Sequence, residues 1–394
     1  MTLFPAGSAE SWGQAFPLVL PGVHADQEHA RKPMKSAARS SPVTRLLLAS
    51  VALLFTSLAS ATDVQPRLTV TQFTQGLNPR SYILDIAPGP DGNVWFTDPT
   101  SDPYVQGMLG RITPEGVITE FSAGISGRVW GITRGPDGNL WFGENLWDAP
   151  ARCCNLVARM NPGNGAVTEF DAKTDPMAAI GRMTVGPDGN IWFLQQYANR
   201  ISRMTPAGVV TEFTTPIFPG AGTGFIVAGG DGNLWFTIPY FAYKAIGRIT
   251  PSGVVTIFSH GILGTTNSIA AGADGNVWFS EDSIAGISRI TPSGAVTRFP
   301  TSSWPTMIAR GPDQEIWFVM ESGRTGKVTP AGLVTEFDEG IGAQYSRYAN
   351  AMVTGPDGSL WIAGAITAFS ASRSTRRSAR LSRSRSHLMC PCSA

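Results

Sequence analysis

The stretch Ile269-Ala270-Ala271-Gly272-Ala273-Asp274-Gly275-Asn276-Val277-Trp278-Phe279 decides how this chain is read. It joins a short apolar run to a second one through Asp-Gly-Asn, where Asp bonds locally and Gly accepts a positive φ, so it encodes a tight hairpin. It is followed by Ile287-Ser288-Arg289-Ile290, the turn Thr291-Pro292-Ser293-Gly294, and Ala295-Val296-Thr297-Arg298-Phe299. Val, Ile, Thr and Phe dominate these runs, as pleated surfaces buried between neighbouring sheets require. One unit therefore carries four short strands.

The unit recurs. Its Trp falls at Trp95, Trp141, Trp192, Trp235, Trp278, Trp317 and Trp361, at intervals of 46, 51, 43, 43, 39 and 44 residues. An apolar residue stands nine positions before each: Ile86, Ile132, Met183, Ile226, Ile269, Ile308 and Met352. A period in the forties with four strands per repeat predicts an all-β, seven-bladed propeller of four-stranded antiparallel blades, not a helical solenoid. The Trp set is expected to pack blade against blade. Leu68-Thr69-Val70-Thr71-Gln72-Phe73 matches the outermost strand of a unit, and no such strand follows Trp361. The N-terminal strand is therefore expected to complete the last blade, which would remove an open sheet edge.

Composition agrees. Of 394 residues, 42% are hydrophobic and 15% charged, with 44 Gly and 29 Pro; this suits many turns and few long helices. Residues 63–368 hold 19 Lys/Arg against 26 Asp/Glu, a net of −7, which excludes the electrostatic footprint of a nucleic-acid binder.

The ends read differently from the body, assigned to residues 62–368. From Met34, the bases Lys35, Arg39 and Arg45 precede the apolar run Leu46 to Leu58 and Ala59-Ser60-Ala61. That is the layout of an export signal over 34–61. Thirteen apolar residues are too few to cross about 30 Å of hydrocarbon, so no stable membrane span is expected and the product is placed in the periplasm or outside the cell. Residues 1–33 precede this start as a non-native leader, and 369–394 form a Ser/Arg-rich tail expected to be disordered. Cys153-Cys154 and Cys390 with Cys392 allow three pairings if oxidised.

Ile246-Gly247-Arg248-Ile249-Thr250-Pro251-Ser252-Gly253, with the Asp-Gly-Asn-apolar-Trp-Phe runs, resembles the repeats of the virginiamycin B lyase (streptogramin lyase) family. The similarity covers about residues 68–365. It implies a seven-bladed propeller. For the lyase itself it implies opening of a cyclic depsipeptide antibiotic at its ester by elimination, with a divalent metal such as Mg²⁺ and with His and Glu on one face of late repeats. Ile316-Trp317-Phe318-Val319-Met320-Glu321 resembles the family's catalytic stretch, with Glu321 at its essential Glu. The family's Pro-His-Gly-Ile is Pro305-Thr306-Met307-Ile308 here, so Thr306 stands at the catalytic His. Trp304 replaces an acidic residue, and Asn267 a further His.

Strand geometry places a ligand face. In a tight antiparallel hairpin the first strand starts where the second ends. This assigns Asp98, Trp130, Glu144, Gln195, Asn267, Glu281, Trp304, Thr306 and Asn350 to the channel mouth, with Glu321 one residue beyond. Glu281 and Glu321 are the candidate metal ligands, and Trp130, Trp147 and Trp304 the candidate stacking surfaces. Elimination needs a base for a carbon-bound proton and assistance to the departing oxygen. Thr306 and Asn267 cannot replace imidazole. His260, seven residues before Asn267, is the one histidine in the body and pairs with Glu321 as a catalytic candidate. Without the family imidazoles, binding of a small molecule, peptide or partner at the channel face by a monomer is favoured. An active metal-dependent C–O lyase is the alternative, and metal hydrolysis of a lactone the third reading.

Overall fold

The computed structural model describes residues 68–374 except 79–80, 100–105, 147–154, 175–177, 217–223, 240–243, 347–348 and 365–368, and the side chains at 344–345 and 369–374. The leader, the signal-like segment, Trp147 and all four cysteines lie outside the described residues.

The strands form four-stranded antiparallel sheets, the blades of an all-β propeller. After β1 (Leu68–Phe73), the Trp95 blade holds β2–β5 (Asp85–Pro88, Val94–Asp98, Met108–Ile112, Ile118–Phe121). The Trp141 blade holds β6–β9 (Arg128–Arg134, Leu140–Asn145, Leu156–Met160, Val167–Asp171), and the Trp192 blade β10–β13 (Ala179–Val185, Ile191–Gln196, Arg200–Met204, Val210–Thr214). The Trp235 blade follows with β14–β17 (Ile226–Ala228, Leu234–Thr237, Ile246–Ile249, Val255–Phe258) and the Trp278 blade with β18–β21 (Thr266–Ala271, Val277–Glu281, Gly286–Ile290, Val296–Pro300). The Trp317 blade is β22–β25 (Pro305–Arg310, Ile316–Met320, Arg324–Val328, Val334–Gly340).

These six blades are each continuous in sequence, one fewer than the Trp count. After a short helix α1 (Ala343–Ser346), the Trp361 unit supplies β26–β28 (Ala349–Thr354, Leu360–Gly364, Phe369–Ser374), and its sheet runs β1-β28-β27-β26. Strand β28 lies inside the stretch read from composition as tail and supplies the third strand that the last blade requires. Backbone pairing with β27 and β1 holds a Ser-rich strand that side-chain patterning does not announce.

Each recurring residue has a packing reason. The Trp indole donates to the turn Asp four residues earlier at 2.9–3.3 Å, which ties each turn to its core. Partial burial pushes Asp137, Asp188 and Asp231 up, but hydrogen bonds from the neighbouring Asn and the Trp outweigh it and hold these carboxyls below the usual aspartate range. Each Trp also stacks on an outer-strand Phe at 5.1–5.6 Å between centroids, and Phe73 fills this role against Trp361. Opposite Trp in six blades sits a cation, from Arg111 to Lys327, with its charge 5.3–5.7 Å from the ring. Arg203, Arg248 and Arg289 reach on to Pro251, Pro292 and Pro330 carbonyls of the next blade at 2.7–2.9 Å. The Trp thus packs within its blade as well as between blades.

The first strands line a cavity of about 230 Å³ bounded by Asp85, Ile132, Arg182, Phe225 and Met352 among others. Arg182 ion-pairs with Asp85 there and lies 4.1 Å from the Phe225 ring centroid. Gly131 makes room for it, since a Cβ at that position would fall 2.5 Å from the Gly181 carbonyl oxygen and 2.7 Å from the Arg182 Cα.

Candidate ligand site

The acidic positions three residues past the Trp turn inward. Glu144 and Glu281 are fully buried, and each Oε2 accepts two backbone N–H groups from the connection that enters its own blade. For Glu144 these are Ser126 and Gly127 at 2.7 and 2.9 Å; for Glu281, Leu263 and Gly264 at 2.6 and 2.7 Å. Asp98 is buried likewise and accepts from Tyr82 N at 3.0 Å. Gln195, also buried, donates to Ser202 and Glu212. Glu281 has two further donors, Ser288 and Arg298, both at 2.6 Å. Burial pushes its carboxyl up, but these bonds outweigh burial and hold it below the usual glutamate range. The three acids are clamps on the entering connections and Gln195 ties neighbouring strands, where the sequence reading had them presented at the channel mouth. Burial of an ionised carboxylate demands such satisfaction.

The Trp317 blade departs from this plan. Its clamp position is Met320, and the entering loop is held from the outer strand by Glu336, which binds both the backbone N and the hydroxyl of Ser302. The carboxylate of this blade is displaced by one residue, to Glu321, and it is half-exposed. Its Oε2 accepts from Trp304 Nε1 at 3.3 Å, and its backbone N–H donates to the Trp304 carbonyl at 2.9 Å. Ser346 of α1 donates to the Glu321 carbonyl at 2.7 Å.

Around this residue opens a cavity of about 480 Å³ lined by Asn267, Asp282, Ser283, Trp304, Pro305, Thr306, Glu321 and Ala349. Of the sequence-derived face, then, Asn267, Trp304, Thr306 and Glu321 are brought together. Asn267 Nδ2 bridges Asp282 Oδ1 and the Thr306 carbonyl, both at 3.4 Å. The Thr306 hydroxyl donates to the Val319 carbonyl at 3.2 Å, so it braces the strand. Trp304 is 37% exposed as a residue and lines the cavity.

The other candidates lie elsewhere. Asn350 donates to the Ile83 carbonyl at 2.8 Å, its own carbonyl accepts from Arg182, and Trp130 is half-buried on β6; neither lines this cavity. His260 is exposed on the turn after β17 and does not line it either.

Asp282 and Ser283 escaped the sequence reading. A signal existed: Asp282 stands four residues past Trp278, as Glu321 stands four past Trp317. In the Trp278 and Trp317 blades the fourth position past Trp opens on the cavity, while Asn145 at the same position of the Trp141 blade is buried on the Ile180 backbone. Although Asp282 keeps its surface open to solvent, surrounding protein pushes its carboxyl above the usual aspartate range, and the Asn267 hydrogen bond offsets this only in part. Ser283 adopts φ +64°, a conformation that costs of order 1 kcal/mol outside Gly and concentrates at functional positions.

Of the two candidate metal ligands, only Glu321 lines the cavity. Glu281 is engaged by four donors, and among the described residues no three His, Cys, Asp or Glu side chains gather as metal ligands.

The profile of the Virginiamycin B lyase family matches residues 145–302 and 262–372, more than half of the sequence. The chain belongs to the virginiamycin B lyase family. Among solved structures, a streptogramin B lyase is 26% identical with a TM-score of 0.66, covering 78% of this chain and 97% of the other. Virginiamycin B lyase from Staphylococcus aureus is 28% identical with a TM-score of 0.65, covering 78% and 99%. A catalytically inactive His-to-Ala variant of that enzyme, crystallised with quinupristin, aligns equally well, with 28% identity, the same TM-score and the same coverage. The WD40 propeller domain of Doa1, 11% identical with a TM-score of 0.57 over 78% of this chain and 98% of the other, shares the fold alone. Comparison with curated protein sequences gives no match.

Proposed function

We propose that this virginiamycin B lyase-like propeller binds a cyclic depsipeptide or similar compact ligand in the cavity beside Trp304 without opening it. The observation that carries the reading is that Thr306 and Asn267 occupy the positions where the family resemblance expects imidazoles, and both line the cavity with Glu321. Thr306 spends its hydroxyl on a backbone carbonyl and Asn267 its amide on Asp282 and Thr306. Neither offers a base that titrates near neutral pH. His260, the other candidate base, sits off the cavity on its own turn. The inactive relative crystallised with quinupristin supports the separation of binding from turnover, because it lacks a histidine.

The scaffold we propose for this site is a ring of seven blades fastened by β1. The pairing of β1 with β28 and the Phe73–Trp361 stack support it. We further propose that the chain is exported. The layout of residues 34–61 supports this, and among the described residues no helix is long and apolar enough to cross a membrane. Cleavage after Ala61 would give secreted material starting near Thr62.

The test of function is incubation of the purified protein with quinupristin and Mg²⁺, followed by chromatography and mass spectrometry. The reading expects the intact ring to be recovered. A linear product of unchanged mass, absent with Glu321→Gln, would establish the lyase instead.

A further inference from the structure

Glu321 stands one residue past the end of β23, and its backbone is gripped from two sides. Its N–H donates to the Trp304 carbonyl at 2.9 Å, which carries the β22–β23 pairing one step beyond Pro305 and Met320. That grip recurs in the Trp278 blade, where the Asp282 N–H donates to the Thr265 carbonyl at 2.8 Å. The second grip comes from the connection into the Trp361 blade. The Ser346 hydroxyl of α1, fully buried, donates to the Glu321 carbonyl at 2.7 Å and lies 3.1 Å from the Ala343 carbonyl of its own turn. The Glu321 turn and α1 are pressed together backbone to backbone. Gly323 has φ +85°, and a Cβ there would collide with the Gly342 carbonyl carbon and the Ala343 nitrogen. Three residues after Ser346, Ala349 lines the cavity itself.

A helix of 4 residues is too short to stand by itself. Its seat on the Glu321 turn therefore places α1, and α1 fixes the turn in return. A side chain that meets a ligand is only as precise as the groups that hold it from behind, and a displacement of about 1 Å spoils the contact. The contacts here run from the Ser346 hydroxyl to the Glu321 backbone, and from the Glu321 carboxylate to the Trp304 indole at 3.3 Å. Resting on the binding role proposed above, we infer that Ser346 is a positioning residue for the cavity, setting the Glu321 carboxylate and the Trp304 indole from a fully buried place. The site is thus shared by successive units, those of Trp278, Trp317 and Trp361.

Two readouts on the full chain test the assignment: the indole N–H resonance of Trp304, identified by its loss in Trp304→Phe, and the affinity for quinupristin by calorimetry. Ser346→Ala is expected to shift the Trp304 resonance while those of the buried Trp95 and Trp192 stay in place. It is also expected to weaken quinupristin binding by about three- to tenfold, the low end of coupling within one hydrogen-bond network. In Glu321→Ala the same substitution is expected to leave the resonance unmoved and the affinity within about twofold, because a residue that acts through another has nothing left to act on. Ser346→Cys keeps the shape and donates weakly; it is expected to fall between parent and Ser346→Ala, and it decides the matter if the alanine variant does not fold. An unmoved Trp304 resonance, or an equal loss of affinity with and without the Glu321 side chain, would overturn the positioning role. Absence of quinupristin binding to the parent would overturn the binding role instead, and the Trp304 resonance would still decide whether Ser346 positions the cavity.

Discussion

At the scale of single residues, the recurrent small amino acids are as strictly required as the aromatic ones. Phe236 lies across from Gly247, and a Cβ on that glycine would sit 2.0 Å from the ring carbon Cζ; Gly110 and Phe96 repeat the relation at 1.8 Å. Overpacking of this kind forces rings off their rotamers at about 1–3 kcal/mol. Gly247→Ala is expected to lower stability by that amount in a urea titration, and an unchanged midpoint would contradict the packing described. The same scale separates the acids. Position three past Trp buries its carboxylate on backbone N–H groups, while position four, occupied by Glu321 and Asp282, opens on the cavity. That one-residue difference was within reach of the sequence for Glu321, which its resemblance marked, but Asp282 carried no motif of its own.

At the scale of elements, each blade is a hairpin pair, and in the Trp95, Trp141 and Trp278 blades the entering connection is stapled by an acid from the end of the second strand. Glu281 holds Leu263 and Gly264 in this way. Removing a buried, charge-assisted acceptor leaves its donors unsatisfied, at about 1–3 kcal/mol or more. Glu281→Ala is therefore expected to lower the melting temperature and to raise hydrogen exchange at Leu263 and Gly264 specifically. Unaltered exchange there would show that the clamp is unimportant. Strand positions and turns were legible because Asp-Gly-Asn, Thr-Pro-x-Gly and the Trp-Phe pair recur with local spacing. Strand β28 was legible only from the strand count of the last blade, which requires a third strand at about 368–377, since backbone pairing with β1 and β27 defines it and its Ser/Arg sequence has no alternation.

At the scale of the whole molecule, the least legible feature is the contact between first strands of separate blades. Asp85 and Arg182 are 97 residues apart, and Ile180-Gly181-Arg182-Met183 imitates the third-strand motif Ile-Gly-Arg-Ile while lying in a first strand. Only the arrangement of blades brings the two together, with Gly131 letting the β10 backbone at Gly181 and Arg182 approach closely. The pair joins first strands of the Trp95 and Trp192 blades, and the cavity of about 480 Å³ lies apart from it, lined by the Trp278 and Trp317 blades and by Ala349. Function on this account belongs to the cavity beside Trp304 and not to the Asp85–Arg182 pair. Isothermal titration of quinupristin into the parent chain and into Trp304→Ala, at matched stability, tests that claim most directly. The account predicts saturable binding to the parent that weakens at least about tenfold in the variant; no binding to the parent, or equal affinity for both proteins, would contradict it.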